Sequence, residues 1–252
     1  FVAGVNAGNS ITSGGNYNTV VGDEAGTAIT NGDNNVAVGY QALDAASGTS
    51  GNTAIGQGSM SAAIETNNNT AVGSASLEST TSGGELVAVG RSALKANTTG
   101  TANTAVGMRA LDANTTASNN TAVGGDALGA NTTGADNTAV GKYALAFNTT
   151  GSYNTAHGVT TLYSNTTGQF NVAVGRSALY YNTTASDNTA IGFQALTDNT
   201  TGSSNTAVGR AALVGNTTGT SNVSLGANSL QANTTGAQNV ALGRNALLVN
   251  TT

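Results

Sequence analysis

Ten Asn-Thr-Thr triplets begin at Asn97, Asn114, Asn131, Asn148, Asn165, Asn182, Asn199, Asn216, Asn233 and Asn250. Each matches the acceptor pattern for N-linked glycans. Amides at a fixed spacing can do other chemistry: each can donate to one neighbour and accept from the next. Five earlier segments decide between the two. They carry Ile11, Ile29, Ala46, Ala63 and Thr80 where the triplets carry Asn. Apolar substitutes mark an inward site, so a buried amide ladder is expected. The adjoining threonines, from Thr98, Thr115 and Thr132 onward, raise an ice-binding alternative, because stacked hydroxyls on a flat face order water. Phe147, Tyr163, Tyr180 and Tyr181 fall in neighbouring registers. They read as outward stacking pairs between coils, with a sugar-binding strip as the alternative.

Other reactive groups are scarce. His157 is the single histidine and has no Asp, Glu or Cys in register, so it forms neither a metal site nor a catalytic group. There is no Cys, hence no thiolate site and no disulfide framework. Gly83-Gly84 lacks the strand, helix and lysine of a phosphate loop. The Gly- and Asp-rich calcium nonapeptide of β-rolls is missing as well. Of 252 residues 8% are charged, with 7 Lys plus Arg against 12 Asp plus Glu and a net charge of −5. That balance offers no basic patch for nucleic acid. No apolar run approaches the ~20 residues of a membrane span. The expectation is therefore a protein that is not an enzyme, with no catalytic, cofactor-binding or metal residues and no cofactor. No signal peptide is visible, and the start at Phe1 rather than Met reads as a processed or excerpted piece.

A repeat must position these columns. Gly22, Gly39, Gly56, Gly73, Gly90, Gly107, Gly124, Gly141, Gly158, Gly175, Gly192, Gly209, Gly226 and Gly243 recur every 17 residues. Gly4 belongs to the same series, with one residue inserted before Gly22, placed near Tyr17. The chain thus reads as one repeat array over 1–252, without linker, second domain or caps. A constant period means one unit stacked on itself.

The unit is too short for a helix-turn-helix repeat of about 34 residues. Asn-Thr-Ala-Val reads as a short strand, the glycine as a turn, and the Ala-Leu stretch as a second short element or one helical turn. Pro is absent, where an average chain of this size carries about 12. A backbone whose N–H groups serve a ladder has no place for it. The expected fold is all-β, a parallel β-solenoid of about 15 coils, stacked at ~4.8 Å into a rod of about 70 Å. Its ladders are Val106, Val123, Val140 and Val174; Leu111, Leu128, Leu145 and Leu179; Asn103, Asn120, Asn137 and Asn154; and Asn97, Asn114, Asn131 and Asn148. Val and Leu are expected to fill the core. Ala105, Ala122, Ala139, Ala156 and Ala173 alternate with Val, so they are expected to face outward and to form a close chain–chain contact.

Asn35-Val36-Ala37-Val38-Gly39-Tyr40-Gln41-Ala42-Leu43 and Asn188-Thr189-Ala190-Ile191-Gly192-Phe193-Gln194-Ala195-Leu196 carry a resemblance. The unit resembles the Asn-Thr-Ala-Val-Gly stalk repeats of phage tail-fibre-like and bacterial surface-fibre proteins, often found upstream of an endosialidase-type chaperone domain. It is similar, more distantly, to the head repeats of trimeric autotransporter adhesins. The resemblance implies a trimeric, fibrous β-structure that is extracellular, on a cell surface or on a virion. Together with the repeat, it leads to the expectation of a fibre or filament subunit whose partner is itself, as a homo-oligomer or a head-to-tail filament. The alternatives are an adhesin segment that binds surface glycans or a host receptor, and an ice-binding solenoid.

Overall fold

The computed structural model describes residues 3–11 and 14–251. Phe1 and Thr252, the ends of the expected array, lie outside them. The chain forms two compact units, Phe1–Asp126 and Ala127–Thr252, where the repeat alone indicates one array. The boundary falls inside the unit of Gly124, and the period does not change across it.

The chain is an all-β parallel solenoid with one three-residue strand per coil. The first unit holds β1 (Thr19–Val21), β2 (Val36–Val38), β3 (Thr53–Ile55), β4 (Thr70–Val72), β5 (Val87–Val89), β6 (Thr104–Val106) and β7 (Thr121–Val123). The second holds β8 (Thr138–Val140), β9 (Thr155–His157), β10 (Val172–Val174), β11 (Thr189–Ile191), β12 (Thr206–Val208), β13 (Val223–Leu225) and β14 (Val240–Leu242). Within a unit each strand pairs in parallel with the next, in the 17-residue register: Ala105 with Ala122, Ala173 with Ala190. The ladder continues around the coil beyond the strands. The N–H of Leu94 donates to the carbonyl of Ala110 at 3.0 Å, and that of Thr98 to Thr115 at 2.8 Å. A coil whose backbone is hydrogen-bonded on most of its circumference excludes proline.

The strand faces opposite to the expectation. Ala105, Ala122, Ala139, Ala156 and Ala173 are 0% exposed, and they line the core rather than an outer face. Val106, Val123 and Val140 are half-buried and Val174 is 36% exposed, so the valines form ladders on the outside. The reason is volume. Across the narrow interior from each Ala sits the fully buried Leu four residues after the glycine: Leu111, Leu128, Leu145, Leu179. Two large residues do not fit in that space. The coil of Gly22 demonstrates it by exchange. Val20 replaces the Ala, Gly26 replaces the Leu, and a Cβ on Gly26 would lie 3.3 Å from both γ-carbons of Val20.

The Ala-Leu stretch is a turn, and no helix occurs among the described residues. Its geometry alternates handedness. Arg109 and Leu111 have φ of 55° and 52°, and the same pair of positions is left-handed at Tyr143 and Leu145. A side chain in that region costs roughly 1–2 kcal/mol. Full burial of a Leu side chain returns about 1.5–3 kcal/mol, which offsets the left-handed conformation of the Leu itself. A third left-handed site precedes the strand asparagine, at Asn34, Asn68 and Asn119. Tyr17 occupies that site in its own coil with φ 58°, so the inserted residue lies upstream of it.

The series glycine meets two demands together. Gly107 has φ +139°, and a Cβ there would stand 2.6 Å from the carbonyl carbon and oxygen of Gly124. Gly125, one residue later in the next coil, meets nothing nearer than 4.0 Å. Gly107→Ala is therefore expected to lower the thermal midpoint, followed by circular dichroism, by at least about 5 °C, while Gly125→Ala leaves it nearly unchanged.

Candidate functional site

Two asparagine columns run through the interior. In the column before the strands, Asn120 N–H donates to Asn103 Oδ1 at 2.9 Å, and Asn103 Nδ2 donates to Ala117 O at 2.7 Å. Asn154 donates to Asn137 Oδ1 from both its N–H, at 2.9 Å, and its Nδ2, at 3.2 Å. In the column of the triplets, Asn114 Nδ2 donates to Asn97 Oδ1 at 2.9 Å and to Ala117 O at 3.1 Å. Asn148 repeats this with Asn131 Oδ1 and Gly151 O, both at 2.8 Å, and accepts from Asn165 Nδ2 at 2.8 Å. The two columns thus converge on one carbonyl per coil. Ala117 O receives both Asn103 and Asn114, and Gly151 O receives both Asn137 and Asn148, at 2.9 and 2.8 Å. A small residue, Gly or Ala, always supplies that carbonyl from Gly100 to Gly236.

These asparagines are at most 1% exposed. The nitrogen that a glycan would modify is inside the fold and hydrogen-bonded, as the ladder expectation requires. The ladder tolerates one gap in its first column. Leu86 replaces the Asn, and its N–H still reaches Asn69 Oδ1 at 2.9 Å. The second column starts abruptly. Thr80 is fully buried where Asn stands in later coils, and its hydroxyl has no partner. The first threonine of the triplets, from Thr98 to Thr234, also turns to the backbone. Thr98 Oγ1 donates to Thr115 O at 3.0 Å, and Thr149 Oγ1 to Thr166 O at 3.0 Å. The second threonine, as at Thr99 and Thr150, is exposed.

The outer face of the sheet is a regular surface in each unit. Its columns are Thr or Val at the first strand position and, His157 apart, Val, Ile or Leu at the third. None of the fourteen strands contains Asp, Glu, Lys or Arg. His157 lies here, paired in register with Val140 and Val174. It therefore replaces an outward valine and not a core one.

Charge and aromatic residues gather at the corners instead. Arg109 meets the half-buried Asp126 at 2.9 Å and Lys95 meets Glu78 at 3.3 Å, surface pairs of small energetic weight. Burial pushes the Asp112 carboxyl up, opposed by Lys95 and Arg109, and partial desolvation alone raises Asp198, whose side chain still reaches solvent. Tyr163 and Tyr180 stack at 5.0 Å and 13°, with Phe147 and Tyr181 standing edge-on at either side. Tyr153 and Phe170 stack face to face at 5.0 Å on another corner. The ladder register brings these rings together. Sequence spacing alone indicated the first group, and it missed the second, whose left-handed site takes any residue type. Among the described residues no three of His, Asp and Glu group closely enough to hold a metal ion. No family model matches the chain, and no curated protein matches it.

Two measurements probe the interior. Asn148→Ala removes a donor to two acceptors and takes from Asn165 Nδ2 one of its two acceptors, leaving it Gly168 O, with a cost of about 1–3 kcal/mol for each buried group left unpaired. Its thermal midpoint should fall. Thr80→Asn extends the ladder by one rung at nearly equal volume and should raise it. A third measurement concerns Asp198. Its folded pKa lies above the unfolded value, so its contribution favours folding at low pH and is lost as pH rises through the folded pKa. Asp198→Asn should therefore melt above wild type at pH 7, and the difference should vanish once both folded and unfolded carboxyls are protonated.

Proposed function

We propose that this chain is a structural subunit of an extracellular fibre, whose coils associate laterally with a second copy of the same chain. The observation that carries this reading is the outer sheet face. It is partly exposed and regular, and it lacks every charge that natural β-surfaces use to repel partners. Val174 and Ile191, for example, are 36% and 40% exposed. The few charges of the chain sit at the corners beside it, as at Arg109, Asp126, Lys95 and Glu78, and none falls in a strand.

The choice of partner follows from periodicity. A surface that repeats every ~4.8 Å is matched along its length only by another surface with the same repeat, and a second copy has it. Interdigitated β-branched columns then form a dry contact of the kind seen between paired sheets. The chain–chain contact thus moves from the buried Ala columns to the Thr and Val columns. The proposed role is non-catalytic. Ice binding is less well supported. The first threonine column directs its hydroxyls into the backbone, and the outer strand column interrupts Thr with Val36, Val87, Val172, Val223 and Val240.

Sedimentation velocity at increasing concentration tests the reading. Wild type is expected to self-associate. Val140→Lys with Val174→Lys should reduce the sedimenting mass to that of one chain without altering the far-ultraviolet spectrum, and His157→Val should strengthen association. Ala139→Arg, from the buried column, should lower the thermal midpoint and not selectively block association. A wild type that stays monomeric at the highest attainable concentration, or a double lysine variant that associates like wild type, would refute lateral assembly.

A further inference from the structure

We propose that one corner of the second unit binds a linear β-1,4-linked oligosaccharide, using Phe147 and Tyr181 as platforms. The inference rests on the aromatic cluster alone and is independent of lateral association. Phe147 and Tyr181 occupy the same position in their coils, 34 residues apart. Two coils at strand spacing put them ~9.6 Å apart. An extended β-1,4-linked chain advances a comparable distance over two sugars, so alternate pyranose rings meet the two platforms.

The rings are held from behind. Phe147 stands at 85° to Tyr163 with centroids 4.9 Å apart, and Tyr181 at 76° to Tyr180 with centroids 4.7 Å apart. Tyr163 and Tyr180 stack on each other and fix both supports. Backbone ladder bonds, Phe147 N–H to Tyr163 O at 3.2 Å and Tyr181 N–H to Thr197 O at 3.0 Å, set the positions of the platforms. Phe147 remains 49% exposed and Tyr181 51%. Prepositioned rings lose little freedom when a ligand packs on them.

The chemistry of the column suits a sugar. The axial C–H face of a β-pyranose is apolar and covers an aromatic face, while its equatorial hydroxyls need partners at the rim. Ser164 lies between Phe147 and Tyr181 in the same column, and Asp198 follows Tyr181 one coil further. Both reach the surface, the first half-buried and the second exposed. The order along the corner is therefore platform, hydroxyl, platform, carboxylate. The Tyr153–Phe170 pair, equally exposed, does not qualify, because at 1° between planes each ring covers a face of the other.

Isothermal titration of the full chain with cellohexaose tests the proposal, with maltohexaose, whose α-linked chain curls, as the control. Cellohexaose is expected to bind and maltohexaose to bind much more weakly. Phe147→Ala and Tyr181→Ala should each weaken binding about tenfold, as expected for loss of a ring-stacking platform, and the double variant should abolish it. Phe147→Leu with Tyr181→Leu retains apolar bulk without an aromatic face; it should keep the wild-type melting curve and still lose binding. Absence of cellohexaose binding, retention of affinity in either double variant, or equal binding of maltohexaose would overturn the assignment.

Discussion

From Ala117 onward, two buried asparagine amides converge on one carbonyl in coil after coil. Asn137 and Asn148 reach Gly151 O, and the next coil repeats the arrangement at Gly168 O through Asn154 and Asn165. Every amide in the second column also bonds its counterpart in an adjacent coil. An insertion of one residue would misplace an amide in a medium where an unpaired polar group costs about 1–3 kcal/mol. In those coils the amides reinforce a period that the glycines keep from Gly22 onward. Three residues of strand per coil specify register weakly, whereas paired amides specify it at two points on the circumference.

The same narrow interior sets what each face presents. Core volume goes to one Leu per coil, so the strand contributes Ala inward and the β-branched residues outward. Buried polar substitutions obey the same geometry. Ser224 stands in the Ala column, and its hydroxyl bonds Ser229, which is itself buried in the facing turn. Small inward residues and large outward ones invert the usual arrangement, and they leave an uncharged, β-branched sheet in contact with solvent. The lateral-assembly proposal is in effect a statement about where the displaced hydrophobic bulk finds cover.

Much of this fold was legible in the chain. The period indicated a parallel solenoid, and apolar residues at Ile29 and Ala46 revealed that the triplet asparagines point inward. The strand orientation was not legible, because alternation in Thr-Ala-Val states only that Ala faces away from Thr and Val. Choosing the buried side requires the width of the interior, which depends on the turn that delivers Leu. That turn places Leu111 and Leu145 in a conformation their type disfavours, so local propensity points away from it. One coil held the missing clue, the joint change to Val20 and Gly26, since a paired exchange of large and small identifies positions that face each other.

The ladder also bears on how the chain reaches its structure. Its defining contacts join residues 17 apart, whether amide to amide or strand to strand. In a chain of 252 residues that is a relative contact order of about 0.07, in the range of helical bundles and well below that of ordinary β-sandwiches. Loop closure is the same short step at every coil, and a formed coil offers the next one a complete template of amides and backbone groups. Within each unit, folding can begin at any coil and extend by addition of neighbours. A sheet protein of this design escapes the slow search for distant strand partners that delays most β-structures.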